Sequence, residues 1–163
     1  MAELTNLESK LGEVIGLAMA AQGATDKVSK LDDLDDGLEQ ELDRMRSEAK
    51  EAEERATEVA ASFEGKKTAI LEEAREVKQK ATGMMQDYLD RTSDALDGFE
   101  FLTMAEAGEV GHWEILKTLN ERARNSGVEQ LVEWGIPIQQ RHLATVRQGS
   151  LKLAAEEDPN ETS

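Results

Sequence analysis

Residues 102–123 read LTMAEAGEVGHWEILKTLNERA, and their apolar side chains recur at steps of three and four residues. This spacing places those side chains on one face of an α-helix, because an α-helix has about 3.6 residues per turn. The predicted face consists of Leu102, Ala105, Glu109, His112, Leu116, Leu119 and Ala123. A carboxylate and an imidazole therefore interrupt an otherwise apolar face, and a buried charge needs a partner.

A second helix follows after a short turn, and its apolar face carries the other histidine of the chain. Residues 125–127, Asn-Ser-Gly, end the first of these helices, and the spacing predicts the next one from Val128 to about Glu157. Gly135 and Pro137 predict a kink in it. Its predicted apolar face consists of Val128, Val132, Gly135, Gln139, His142, Val146, Gly149 and Leu153. The short turn predicts that the two helices form an antiparallel hairpin.

Further helical segments precede this hairpin. Apolar residues at helical steps predict helices over 3–31 and about 37–63, and the pattern resumes over 70–88. The last segment is either a third helix or the continuation of one very long helix. Gly12 and Gly16 lie four residues apart on the first helix, which allows another helix to approach closely. The sequence thus predicts an all-α fold of antiparallel helices.

Composition restricts the class of protein further. A length of 163 residues suits one domain, so we expect a single helical domain over 1–157 and a frayed tail over 158–163. The absence of Cys excludes disulfides, thiolate zinc sites and thiol nucleophiles. A formal net charge of -16 repels phosphate backbones and anionic lipid headgroups, so neither nucleic acid nor a membrane is a predicted partner. No signal peptide or spanning segment is apparent, and we expect a cytoplasmic location.

The two histidines are the candidate metal ligands. In the predicted hairpin they lie at about the same height, so Glu109-x-x-His112 faces Gln139-x-x-His142. Two imidazoles and one carboxylate form a ligand set that suits Fe(II), Mn(II) or Zn(II). We therefore predict Glu109, His112 and His142 as metal ligands, with Gln139 and Glu106 supporting them. The alternative is that each histidine hydrogen-bonds a neighbouring carboxylate or carbonyl and binds nothing.

These features together resemble the ferritin-like superfamily. The resemblance rests on four antiparallel helices, a long connection between the second and the third of them, and Glu-x-x-His spacing on inward faces. The part most similar to small bacterial ferritin-like proteins runs from Glu109 through Trp113 and Trp134 to His142. The resemblance implies an antiparallel four-helix bundle in which residues 64–97 form a long helical crossover.

The chain also departs from the family pattern. Ferritin-like di-iron sites take Glu-x-x-His from two helices, but the second helix here has no His, and Gln139 stands where the family pattern has Glu. Glu8, Glu41 and Glu48 flank the apolar faces of their helices and reach a site only if packing turns them inward. A degenerate or mononuclear site fits this pattern better than a complete di-iron centre.

The sequence therefore supports two functional hypotheses. The first is a ferritin-like protein that binds iron or another divalent metal and has a stress-related role, for which the resemblance implies ferroxidase or peroxide chemistry. The second is a non-catalytic scaffold or interaction protein with a self-associating, coiled-coil-like surface. We expect a homo-oligomer, with a dimer as its simplest form, and the sequence singles out no catalytic residue and no organic cofactor.

Overall fold

A computed structural model describes residues 2–162 and contains five α-helices in that range. No strand occurs in the described part of the chain, so the all-α prediction is confirmed. Each helix starts and ends within a few residues of its predicted bounds. The helices are α1 (Asn6–Ser29), α2 (Asp36–Ala61), α3 (Lys67–Tyr88), α4 (Ala95–Ala123) and α5 (Ser126–Ala155).

Side-chain caps fix where four of the helices begin. Thr5 and Asp94 each form a capping box at the start of α1 and α4, in which cap and third residue satisfy each other's backbone N–H groups. Asp35, from the acidic cluster between the first two helices, accepts a hydrogen bond from the Leu38 backbone N–H. Asn125 caps α5 in the same way. These caps satisfy N–H groups that have no partner within the helix.

The segment between α2 and α3 shows whether this part of the chain forms two helices or one very long helix. Residues 62–66 separate two distinct helices, and Gly65 among them has φ +73°. This left-handed conformation is strained for residues with a side chain, so Gly65 permits the chain to turn here. A single long helix over this region is therefore excluded.

The helices pack as a ring with one helix outside it. Contacts join α1 to α2, α2 to α5, α5 to α4, and α4 to α1, while α3 packs against α1 and α2. Gly98, near the start of α4, lies against Val28 at the end of α1. Gly149, near the end of α5, lies against Phe99 and Leu38 at the starts of α4 and α2. Neighbouring helices in the ring therefore run in opposite directions.

Helix α3 runs parallel to α1 and touches it through glycines. A Cβ atom on Gly12 would lie 2.8 Å from the carbonyl oxygen of Ile70, and one on Gly16 would lie 2.4 Å from that of Ala74. No larger residue fits at these distances, so the predicted close approach at this pair of glycines is confirmed. The chain thus returns along α1 from the end of α2 to the start of α4.

The apolar core has two parts, each built mainly from α1, α2, α4 and α5, and the first also contains Ile70 and Ala74 of α3. One surrounds Trp113 and Leu11, and the other surrounds Phe99 and Leu42. On α4 and α5 the residues between these two parts are polar and buried, namely Glu106, Glu109, Gln139 and His142. The interior therefore contains a polar layer at about the middle of the helices.

The predicted apolar faces differ in how well they match burial. All eight predicted residues on α5 are buried, so that face is confirmed, and α5 continues through Pro137 without a break. On α4 the face is rotated, since Glu106 and Trp113 are buried where Ala105 and His112 were expected. On α3 only the first half is covered, and Met84 near its end is 60% exposed.

None of the helices in residues 2–162 is long and apolar enough to cross a membrane.

Candidate functional site

The polar layer contains a carboxylate that the sequence placed only at the flank of its helix. Packing turns Glu48 of α2 inward, and its side chain is 20% exposed. Arg141 of α5 donates from both terminal nitrogens to the two oxygens of Glu48, and His142 Nε2 lies 3.1 Å from Glu48 Oε1. Burial alone would raise the pKa of Glu48, but hydrogen bonds from Arg141 and His142 outweigh it and hold that pKa below its usual value.

His142 lies at the centre of this layer and is 1% exposed. Burial lowers the pKa of its imidazole, and the hydrogen bond with Glu48 offsets this only in part. The ring is therefore neutral near pH 7, with one protonated nitrogen and one lone pair. Its second nitrogen, Nδ1, lies 3.9 Å from Glu106 Oε2 on α4. The imidazole thus stands between two carboxyl groups from different helices.

Glu106 and Glu109 lie one turn apart on α4 and are both buried. Removal from water raises the pKa of Glu106 to about 8, and it raises the pKa of Glu109 well above its usual value with a further contribution from the neighbouring Glu106. Three buried oxygens in the layer have no hydrogen-bond partner: Glu106 Oε2, Glu109 Oε1 and Gln139 Oε1. Such atoms are uncommon in protein interiors. The Glu106 and Glu109 carboxyl groups also hydrogen-bond each other, which lowers the pKa of Glu106 and raises that of Glu109.

His112, the other predicted ligand, belongs to a different cluster. Its Nδ1 lies 3.1 Å from Glu13 Oε2 and 3.2 Å from Lys10 Nζ, both on α1. Its side chain is 38% exposed. The reason for this placement is Trp113, the next residue, whose ring fills the interior against Gly135 and so turns His112 toward α1. The structure therefore gives His112 and His142 no partner in common.

Four of the five predicted site residues thus lie in the buried layer, and His112 lies outside it. Two further members, Glu48 and Arg141, were not predicted as site residues. Among residues 2–162 no three His, Asp or Glu side chains are arranged so that they could hold a metal ion. The buried layer therefore contains no set of three metal ligands in the arrangement that the structure shows.

A cavity opens beside the layer, between α1, α3 and α4. It has a volume of about 230 Å³ and is lined mainly by apolar side chains, with Glu106 and Glu109 among its lining residues. It exists because α3 is held against α1 by its first half, near Gly12 and Gly16, while Met84 near its end stays exposed. The two buried carboxyl groups are therefore reached from outside through an apolar cleft.

Comparison of the chain with protein-family models, with curated proteins and with solved structures finds no match. The candidate site therefore rests on its own geometry.

Some signals for the unpredicted residues exist in the sequence. Arg141 directly precedes His142, and Glu48 lies one position before Ala49 on the apolar face of α2. A residue next to an apolar face reaches the interior when the helix is rotated by part of a turn, and periodicity alone does not fix that rotation.

Proposed function

We propose that this chain is a ferritin-like four-helix bundle that binds one divalent metal ion in its interior. The packing order α1, α2, α5, α4 with alternating directions supports the four-helix arrangement. Helix α3 serves as the crossover, because it carries the chain back along α1 before α4 begins. The proposed ligands are Glu106 of α4 and the Nδ1 atom of His142 of α5, and Glu48 of α2 orients the imidazole from its Nε2 side.

The observation that carries this proposal is the unpaired Glu106 Oε2, which faces the Nδ1 atom of His142 at 3.9 Å. Carboxylate oxygens and a neutral imidazole nitrogen are ligands that Fe(II), Mn(II) and Zn(II) accept. The lone pair on Nδ1 is available when Nε2–H donates to Glu48. The chemistry of the donor atoms therefore fits a divalent ion.

The charges in the layer also favour a cation. Arg141 pairs with Glu48, but neither Glu106 nor Glu109 has an ion pair with a Lys or Arg in the described residues. Carboxylates buried without a counter-ion are strongly disfavoured, and the raised pKa values of Glu106 and Glu109 express that cost. A bound divalent ion would compensate these charges and release protons from the carboxyl groups.

Since no three of these side chains are already in place for an ion, binding requires them to reorient. Arg141 holds Glu48 beside His142, while Glu109 and Gln139 contribute further oxygens next to the proposed ligands. A bound iron ion would supply redox chemistry with oxygen or peroxide, which is what the ferritin-like resemblance implies. The side chains of the buried layer would themselves only bind the ion and orient its ligands.

Titration calorimetry on metal-free protein with Zn²⁺, and with Fe²⁺ without oxygen, tests the proposal. We expect one ion per chain. His142→Gln should weaken binding by more than about tenfold, because even indirect partners of metal ligands contribute about 10- to 100-fold. Gln keeps a donor for Glu48 while removing the imidazole, so the fold is preserved.

His112→Gln is the matched control. His112 lies outside the buried layer and is partly exposed, so this substitution should change the affinity by less than about twofold, since contacts near the surface contribute little. If wild-type protein binds no ion, or if His112→Gln is the more damaging change, the metal proposal fails and the scaffold hypothesis replaces it.

A further inference from the structure

The second half of α3 has an exposed face that combines apolar and charged side chains. Lys80, Met84 and Asp87 recur at steps of four and three residues, which places them on one face of the helix. All three are exposed, and Met84 is 60% exposed. One turn after Met84 lies Tyr88, which is 46% exposed and whose ring centroid lies 5.5 Å from that of Phe101. We call Lys80, Met84, Asp87 and Tyr88 the outer face of α3.

The apolar part of the outer face continues onto α4. Met84 and Met104 border the same cleft, and Met104 is 48% exposed. Single exposed apolar side chains are ordinary on protein surfaces, whereas a group of neighbouring ones marks a surface that meets another molecule. Methionine and tyrosine are among the residues enriched where proteins associate. The side chains of Met84, Tyr88 and Met104 therefore form a patch suited to contact with another protein surface.

Gly83 leaves room for another helix beside this patch. An atom at its Cβ position would meet nothing within 4 Å. Glycine inside a helix is less favourable than alanine, so its presence next to Met84 has a cost in stability that the isolated chain does not recover. Without a side chain at this position, a second helix can approach the backbone of α3 closely.

The charges of the outer face are unpaired within the chain. The ion pairs among residues 2–162 include neither Lys80 nor Asp87. Helix α3 carries four acidic and four basic side chains, whereas α2 carries nine acidic and four basic ones. In a chain with a net charge of -16, a second copy is therefore repelled by α2 but meets no net charge on α3.

The order of the charges along α3 identifies what covers this face. Lys80 and Asp87 are equidistant from the point midway between Gly83 and Met84. A second α3 that lies antiparallel across this point is related to the first by a two-fold axis. Lys80 of each copy then lies level with Asp87 of the other, and the two Met84 side chains meet near the axis. Opposite charges therefore face each other twice, as a self-complementary interface requires.

We propose that two copies of this chain associate through the outer face of α3, with the two helices antiparallel about this axis. The contact combines an apolar centre at Met84 with two symmetric ion pairs between Lys80 and Asp87. It goes beyond the proposed metal site, since none of its residues belongs to the buried polar layer.

Sedimentation velocity on full-length protein, with a chelator present, tests the proposal over a range of protein concentrations. We expect a reversible dimer at micromolar concentration. Met84→Asp should leave only monomer, because it places two carboxylates against each other at the apolar centre. Leu151→Asp is the matched control, since Leu151 on α5 is 64% exposed and lies outside the outer face. It should leave the dimer unchanged.

Exchange of the charges tests the antiparallel arrangement itself. Lys80→Glu and Asp87→Lys should each weaken the dimer at least about tenfold, because either change turns two attractive pairs into two repulsive ones. The double variant restores opposite charges, so its affinity should return to within about threefold of wild type. Lys78→Glu makes the same charge change as Lys80→Glu, but Lys78 lies about a third of a turn away from Met84 around the helix. This control should dimerise like wild type.

Wild-type protein that stays monomeric at about 100 µM, a dimer that persists in Met84→Asp, or a double variant as weak as its single variants would overturn the proposal. The substituted side chains are exposed, and circular dichroism at 222 nm checks that each variant is folded. Because the metal ligands are unchanged and no metal is present, failure of this proposal is distinct from failure of the metal proposal.

Discussion

At the scale of single residues, the buried acids of α4 make the stability of the protein depend on pH. Glu106 and Glu109 replace apolar side chains at two interior positions, and their pKa values are raised by burial. In the folded state they keep their protons at a pH where the unfolded chain has already released them. Their contribution to the free energy of unfolding therefore decreases as pH rises.

The folded protein binds more protons than the unfolded chain between the unfolded pKa of Glu, about 4.3, and the folded pKa of Glu106, about 8. The free energy of unfolding should therefore fall as pH rises through this window. One proton accounts for a slope of at most about 1.4 kcal/mol per pH unit. Glu106→Gln stays neutral at every pH, so its stability should fall less steeply.

Urea denaturation of both proteins at pH 5, 6, 7 and 8, with a chelator present, measures this difference. His142 acts in the opposite direction, since its lowered pKa makes stability rise with pH, and it is present in both proteins. Parallel pH profiles for wild type and Glu106→Gln would show that Glu106 is ionised in the folded state.

Single residues also explain why the buried face was predicted correctly for α5 but not for α4. The buried face of α5 was predicted correctly, because its small and polar residues, such as Gly135 and His142, lie at the same helical spacing as its apolar residues. On α4, His112 and Trp113 are neighbours in the sequence. The Trp113 ring lies in the interior because it buries more apolar surface than an imidazole does. The predicted pairing of the two histidines depended on that choice.

At the scale of helices, the contact between α1 and α3 decides whether the cleft exists. Gly12 and Gly16 let the first half of α3 approach α1 to within backbone contact. The second half of α3 is amphipathic by sequence but is left largely uncovered, as the exposure of Met84 and Tyr88 shows. Of the apolar residues at helical spacing in α3, Ile70 and Ala74 are buried whereas Met84 and Tyr88 are exposed, because periodicity does not show how much of a helix face is covered by a neighbour.

Two alanine substitutions on α1 test this contact. Gly16→Ala places a Cβ atom 2.4 Å from the carbonyl oxygen of Ala74, so α3 must shift, and we expect a loss of about 1 to 3 kcal/mol in the free energy of unfolding. Gly23 lies on the same helix with no atom within 4 Å of its Cβ position. Gly23→Ala should therefore stabilise the protein by about 0.5 to 1 kcal/mol through helix propensity.

Urea denaturation followed by circular dichroism at 222 nm measures both variants in one series. If Gly16→Ala is as stable as Gly23→Ala, α3 does not pack on α1 through these glycines.

At the scale of the whole molecule, the polar layer lies where the four helices of the ring all contribute to the interior. The apolar clusters around Trp113 and Phe99 lie on either side of it, so the layer is enclosed at both ends. General features of this arrangement followed from the sequence, including the five helical segments, their turns and the burial of His142. The inward turn of Glu48 did not, because it depends on the rotation of α2 within the assembled bundle.

The predicted homo-oligomer and the cytoplasmic location remain predictions. The exposed apolar side chains Met84, Tyr88, Met104, Ile115 and Leu151 lie on three helices.

The most direct test of the proposed metal site is anomalous X-ray diffraction from crystals of the protein prepared with Zn²⁺ or Fe²⁺, recorded on both sides of the metal absorption edge. The account predicts one anomalous peak per chain, between Glu106 and the Nδ1 atom of His142, with ligand distances near 2.0 to 2.2 Å as zinc sites show. An interior without a peak, or a peak on His112 instead, would contradict it.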